Sequence, residues 1–292
     1  MSTFDTPDPI FVTVELGVGA IRIAATDRTD TVVDVRPSDP TKKTDVTAAA
    51  QTQVEFADGR LSVRTPKLPH RWSPFGPSGR SGSVDVEIGV PEGSQVSSET
   101  GAATLRSHGR LGDCRYRTGA GDVYVERADA LEVRTGAGSV TLGEAAGTVT
   151  VSVGSGSVVI DRVAGDLVIK SGNGDTRVGE VTGDARLNAA NGTITIDRAY
   201  RGVVAKTANG SVRIAEVSDG AVVAQSAMGT VEVGVRDGVA AWLDLGTKFG
   251  QVRNDLDAAD GPGTSKGTVE IHASTSFGDV AVFRASTVGT AS

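Results

Sequence analysis

The sequence predicts an all-β chain built as a parallel β-solenoid, a β-helix with about 18 residues per coil. Three observations predict it: a glycine motif that returns at a fixed period, apolar residues that alternate within each period, and a charge that changes sign from one period to the next. Gly119-Ala120-Gly121-Asp122-Val123 returns as Gly136-Ala137-Gly138-Ser139-Val140 and again near 154, 172, 190 and 208. The second glycines stand at 121, 138, 156, 174, 192 and 210, a step of 17 once and of 18 four times. Two residues after each comes Val123, Val140, Val158, Thr176, Ile194 or Val212, and two further on another apolar residue, from Val125 to Ile214. That spacing makes a strand with one buried face. A second alternating run follows in each period, such as Val149/Val151 and Leu167/Ile169, after turns such as Gly165-Asp166 and Gly183-Asp184. One such unit cannot bury its apolar face alone, but stacked units can.

Six residues after the second glycine stand Arg127, Glu144, Arg162, Glu180, Arg198 and Glu216. Stacking would set each charge against opposite ones, a structural charge ladder that also disfavours a slip by one coil.

In chain order, residues 1–83 read as an N-terminal β-rich cap, 84–285 as the solenoid repeat domain and 286–292 as a C-terminal tail. The strands expected in the cap are 10–16, 20–24, 32–36, 54–56 and 61–65, outside the 18-residue register, with a short helix over 42–50. A solenoid end exposes unpaired strand edges, which is why a cap is expected there. The basic Pro/Gly loop 59–83 holds no acidic residue before Asp85 and carries Arg60, Arg64, Lys67, Arg71, Trp72, Phe75 and Arg80. These are the candidate partner-docking residues, suited to a phosphate, a lipid head group or an acidic protein surface; a solvated connection of biased composition is the plainer reading. Gly101-Ala102-Ala103-Thr104-Leu105 is a degraded first coil. Beyond Val233 the motif persists at Phe249-Gly250 and Phe277-Gly278, at steps of 21 and 28, with an inserted loop over 255–267. Trp242 and Phe249 are placed to close the far end.

Composition narrows the classes. With 4% aromatic residues against 38 glycines, the core must be narrow and β-rich. A net charge of −7 argues against a general nucleic-acid binder. The single Cys114 precludes an internal disulfide framework. The amino terminus shows no secretory signal, and no stretch approaches a membrane span. A cytoplasmic chain, peripheral to a membrane at most, is the expectation.

Several motifs are similar to those of one bacterial family: the repeated Gly-x-Gly-[Asp/Ser/Thr]-Val, Ser83-Val84-Asp85-Val86 leading into Val90-Pro91-Glu92-Gly93-Ser94, Leu243-Asp244-Leu245-Gly246-Thr247 before Gly250-Gln251-Val252-Arg253-Asn254, and the closing Ser276-Phe277-Gly278-Asp279-Val280. Over about 84–285 the chain resembles the β-strand-repeat domain-of-unknown-function family 4097, which carries the provisional label of adhesin. The resemblance implies a parallel β-solenoid and, through the label, adhesion or an envelope-stress role. It transfers no catalytic residue.

Nucleotide loops need one glycine-rich turn followed by a helix, whereas here the glycines recur in every period. Calcium rolls need Gly-Gly-x-Gly-x-Asp, whereas the matching Asp stands only at Asp122, Asp175 and Asp279; Asp166 and Asp184, as stacked neighbours, could share a cation, but two solvated turn aspartates are the plainer reading. Asp161 and Asp197, two coils and so about 9–10 Å apart, come near the carboxylate separation of inverting glycosidases, but each adjoins an arginine. His70, His108 and His272 have no metal spacing. Arg115 and Arg117 could lower the pKa of Cys114, though a plain strand cysteine is the simpler reading. Asn191 and Asn209 read as turn asparagines in the left-handed region. No catalytic, cofactor or metal residues are assigned. The expected function is a non-enzymatic solenoid scaffold or interaction module whose partner is an unknown protein, an envelope component or a second copy of itself. The alternative is a carbohydrate-binding or carbohydrate-cleaving β-helix protein.

Overall fold

A computed structural model describes residues 1–66, 82–257 and 267–285. They fall into two compact units, Met1–Gly143 and Glu144–Ser292, each built as parallel strands stacked coil upon coil.

The first unit is arranged around one long strand. In order it contains β1 (Ser2–Asp5), β2 (Phe11–Thr26), β3 (Asp30–Pro37), helix α1 (Lys43–Gln51), β4 (Gln53–Ala57), β5 (Arg60–Arg64), β6 (Ser83–Pro91), β7 (Gln95–Ala120) and β8 (Val123–Ala137). The strands and helix expected in the cap are present within a residue or two, except that 10–16 and 20–24 are a single strand, β2. β2 was expected to lie outside the coil register and does not. It runs parallel to β7 with Val12 beside Val96 and Ile21 beside Leu105. Its other edge pairs in parallel with β5 (Val12 beside Leu61) and β6 (Ile21 beside Val86). The signal is visible in Gly17-Val18-Gly19-Ala20-Ile21-Arg22-Ile23, a Gly-x-Gly followed by alternating apolar residues, whose partner in β7 lies some eighty residues downstream. β3 and β4 then close the outer coil antiparallel to β6 and β5, with β1 on β3 and α1 against β3 and β6. The buried carboxylate of Asp45 in α1 accepts the Ser83 amide at 3.1 Å, fixing the helix to the start of β6. β8 stacks on β7, and a β-bulge between Ser107 and Arg110 drops the paired offset from 18 residues to 17.

Strand β9 (Val140–Ala145) ends at the start of the second unit. That unit continues with β10 (Val149–Ser155), β11 (Val158–Val163), β12 (Leu167–Asn173), β13 (Thr176–Val181), β14 (Ala185–Asn191), β15 (Ile194–Ala199), β16 (Val203–Asn209), β17 (Val212–Val217), β18 (Gly220–Met228), β19 (Val231–Val235), β20 (Ala240–Phe249), β21 (Val252–Asn254), β22 (Thr268–Phe277) and β23 (Val280–Arg284). One column of parallel strands runs β10-β12-β14-β16-β18, with Val151, Ile169, Leu187 and Ala205 in line at 18-residue offsets. The other runs β11-β13-β15-β17-β19, with Ile160, Val178, Ile196 and Ile214 in line. These inward side chains are buried essentially completely and form the core, each worth about 1.5–3 kcal/mol for the largest of them.

The glycine period has a steric cause. Gly192 has φ +127°, and a Cβ there would come within 2.2 Å of the Gly174 carbonyl oxygen in the coil below. Backbone meets backbone at this corner, so neither the dihedral nor the space admits a side chain.

The last coils depart from chain order. β18 pairs with β22, and β22 in turn pairs with β20, so the motif at 277 lies between those at 229 and 249. Likewise β19 pairs with β23 and β23 with β21. β20 and β21 thus form the outermost coil, and β22 and β23, though later in the chain, lie between it and β18 and β19. The reason lies in the side chains. Val269, Ile271, Ala273, Val280 and Val282 alternate cleanly and are at most 2% exposed, as an interior slot demands. The outermost coil offers Gly246, Asn254 and a Val252 that remains 48% exposed. Trp242 and Phe249, on β20, belong to that coil.

Candidate functional site

The polar residues of the repeat are engaged along the stack. The carboxylate of Asp122 accepts the Ser139 amide at 2.8 Å, and that of Asp175 accepts the Thr193 amide at 2.8 Å. Asp279 does the same for Gln251 at 2.8 Å, in the reversed pair of end coils. Asp166 accepts the Asp184 amide at 2.9 Å. The motif aspartates therefore tie one coil's corner to the next. The glycine pairs of the described coils lead into strands, with no helix after them. Among the described residues, no group of three or more His, Cys, Asp or Glu side chains could hold a metal ion.

Asn173, Asn191 and Asn209 end successive strands and are exposed. The Asn191 amide donates to the Asn173 side-chain oxygen at 2.8 Å, and Asn209 donates to Asn191 at 2.8 Å. The expectation of a left-handed conformation fails: among the described residues, Asp58 is the one non-glycine with positive φ. At these asparagines the adjoining glycine carries the positive φ, leaving the side chain in line with its neighbours.

The charged positions form shorter chains. Glu180 takes Arg162 at 3.7 Å from one side and Arg198 at 3.4 Å from the other. Glu216 instead takes Arg236 at 2.5 Å, a partner hidden from the sequence by a step of 20 residues. Arg127 lies 3.7 Å from its own neighbour Glu126. With the arginines half exposed, such pairs are worth about 0–1 kcal/mol each.

Of the expected docking residues, Arg60 lies over the Phe11 ring at 5.0 Å and Arg64 pairs with Glu15 at 3.5 Å, both within the first unit. Lys67, Arg71, Trp72, Phe75 and Arg80 lie outside the described residues, as does His70. Asp197 is held by Arg177 at 2.9 Å. Cys114 is buried, and burial pushes its thiol up to about 11, against the lowering that Arg115 and Arg117 would bring.

The most distinctive surface is at the end of the second unit. There the asparagine column gives way to Met228, Phe277 and Phe249 in successive coils. Phe249 and Phe277 stack with centroids 4.9 Å apart and planes 7° from parallel. Both are more than half exposed, as are Met228 and Trp242. Beside Trp242, whose ring lies edge-on at 5.4 Å, His272 Nδ1 is 3.1 Å from Asp244 and Nε2 is 2.9 Å from Glu270. Hydrogen bonds to Asp244 first and Glu270 second raise the His272 pKa. The sequence showed Glu270 and His272 two apart on a strand but hid Asp244, which pairs with His272 at an offset of 28 residues.

No described helix is long and apolar enough to cross a membrane. No curated protein matches the chain. Among solved structures, a Clostridium sporogenes protein provisionally assigned to cell adhesion aligns at 12% identity over 97% of this chain and 98% of its own, with a TM-score of 0.21. A provisionally named adhesin of Bacteroides fragilis aligns at 11% identity over 96% of each chain, with a TM-score of 0.28. A protein of Parabacteroides distasonis, provisionally named as lipid-binding, aligns at 10% identity over 96% of this chain and 95% of its own, with a TM-score of 0.32. The Toastrack DUF4097 family matches residues 12–287, nearly the whole of the sequence. With its glycine-cornered coils and parallel strand columns, this chain belongs to the Toastrack DUF4097 family.

Proposed function

We propose that this protein is a non-enzymatic β-solenoid interaction module, adhesin-like in the sense of presenting flat sheet faces to a protein or envelope component. The observation that carries the reading is the direction of its polar contacts. Asp122, Asp166, Asp175 and Asp279 accept amides of neighbouring coils, Asn173, Asn191 and Asn209 bond to one another, and Arg177 holds Asp197. A catalytic site needs polar groups converging on one point with free valences. These groups spend theirs along the stack, which suits a rigid display surface. The expected result is saturable binding of the labelled, purified chain to an isolated bacterial envelope fraction, competed by unlabelled protein. Turnover of any member of a polysaccharide panel, abolished by Asp161→Asn or Asp197→Asn, would overturn the reading in favour of a carbohydrate-active protein. Absence of saturable binding would overturn it as well.

A further inference from the structure

We infer that the outermost coil of the second unit is a self-association edge, at which β20 pairs antiparallel with β20 of a second copy about a two-fold axis at Gly246. This deepens the interaction-module reading and rests on it, naming one partner. Among the described residues β20 pairs with β22 alone, so the row of backbone groups on its other edge is unsatisfied by a strand. The side chains under it are also uncovered. Leu243 and Leu245 are half-buried and Val252 is 48% exposed, where the equivalent Val280 and Val231 are fully buried. Five of the exposed large apolar side chains of the described chain, Met228, Trp242, Phe249, Val252 and Phe277, fall in the last three coils. An apolar concentration of this kind marks an interaction surface.

The occupant follows from the pattern of β20 itself. A two-fold at Gly246 sets residue 246 − n against 246 + n of the other copy. Asp244 then faces Lys248, twice by symmetry, and both are exposed. Trp242 falls opposite Gly250, one residue past the end of β20, which has no side chain to meet the indole, and glycine faces glycine at the centre. The strand is thus complementary to its own reverse in charge and in size, as an isologous interface requires. Edges guarded against pairing carry like charges, proline or a bulge. Here the two charges have opposite sign and stand symmetrically about a residue with open space around it, since a Cβ on Gly246 would meet nothing within 4 Å.

The test is sedimentation velocity of the full chain over a concentration series. The wild type is expected to dimerise. Lys248→Asp and Asp244→Lys, each placing like charges face to face, are expected to weaken the dimer about tenfold or more, and the double exchange to restore it. A wild type that stays monomeric at the highest soluble concentration overturns the proposal, as does a dimer indifferent to the single reversals or one that the double exchange fails to rescue. If a reversal impairs folding, amide exchange of the wild type decides. Protection across 240–249 must rise with protein concentration, and its constancy overturns the proposal. Envelope binding by a wild type that stays monomeric would leave the interaction-module reading standing while the dimer fails; a wild-type dimer without envelope binding would do the reverse.

Discussion

Replacing Gly192 by alanine should cost far more than replacing Gly238, although both glycines have positive φ. Gly192 sits at +127° and Gly238 at +76°. A side chain held in such a region costs of order 1–3 kcal/mol, and both variants bear that. Only Gly192 bears a second cost. Its added Cβ would lie 2.2 Å from the Gly174 carbonyl oxygen, 2.6 Å from its carbon and 3.2 Å from the Asp175 amide nitrogen, whereas nothing lies within 4 Å of one on Gly238. These neighbours are backbone of the next coil and cannot rotate away. Relief requires prising two coils apart at a corner, and overpacking of this kind adds about 1–3 kcal/mol. Gly192→Ala should therefore destabilise by about 2–6 kcal/mol and Gly238→Ala by about 1–3 kcal/mol. Urea titration followed by far-UV circular dichroism reads both, with the slope checked for constancy because stacked repeats can lose cooperativity. Equal midpoints for the two variants would refute the steric account of the period and leave only a turn preference.

Three further outcomes follow from the same contacts. Asn191→Ala removes one donated and one accepted bond of the asparagine column; because these groups can turn to water, the loss should be about 1 kcal/mol in urea. Cys114, buried and raised to about 11, should resist a thiol reagent at pH 8 in the native chain and react at once in urea. The pKa of His272 is raised by its bonds to Asp244 and then Glu270, so its contribution to stability is complete below about 6.5 and is lost as pH rises through the higher folded-state value. His272→Asn should flatten the pH dependence of the urea midpoint in that window, and an unchanged profile would remove His272 as its source.

Much of the fold is legible because a solenoid makes neighbours in space out of residues at a fixed distance in sequence. The apolar columns from Val149 to Val233, and the partnership of Arg162 with Glu180, follow from counting. Counting fails where the offset changes. The coil register of β2, the rung from Glu216 to Arg236, and the cluster of Asp244, Glu270 and His272 all join residues whose separation is not 18. The asparagines escape counting for another reason. A turn preference belongs to a residue alone, whereas a side-chain column needs copies of it stacked about 4.8 Å apart.

By itself, the sequence determined the coil, because a Gly-x-Gly corner and two alternating apolar runs satisfy their backbone and bury their side chains only when repeated upon themselves. The order of the coils at both ends was decided by tertiary structure. An interior slot must be apolar toward two neighbours and an outer one toward a single neighbour, and that competition between distant segments is settled by burial, whatever their order along the chain.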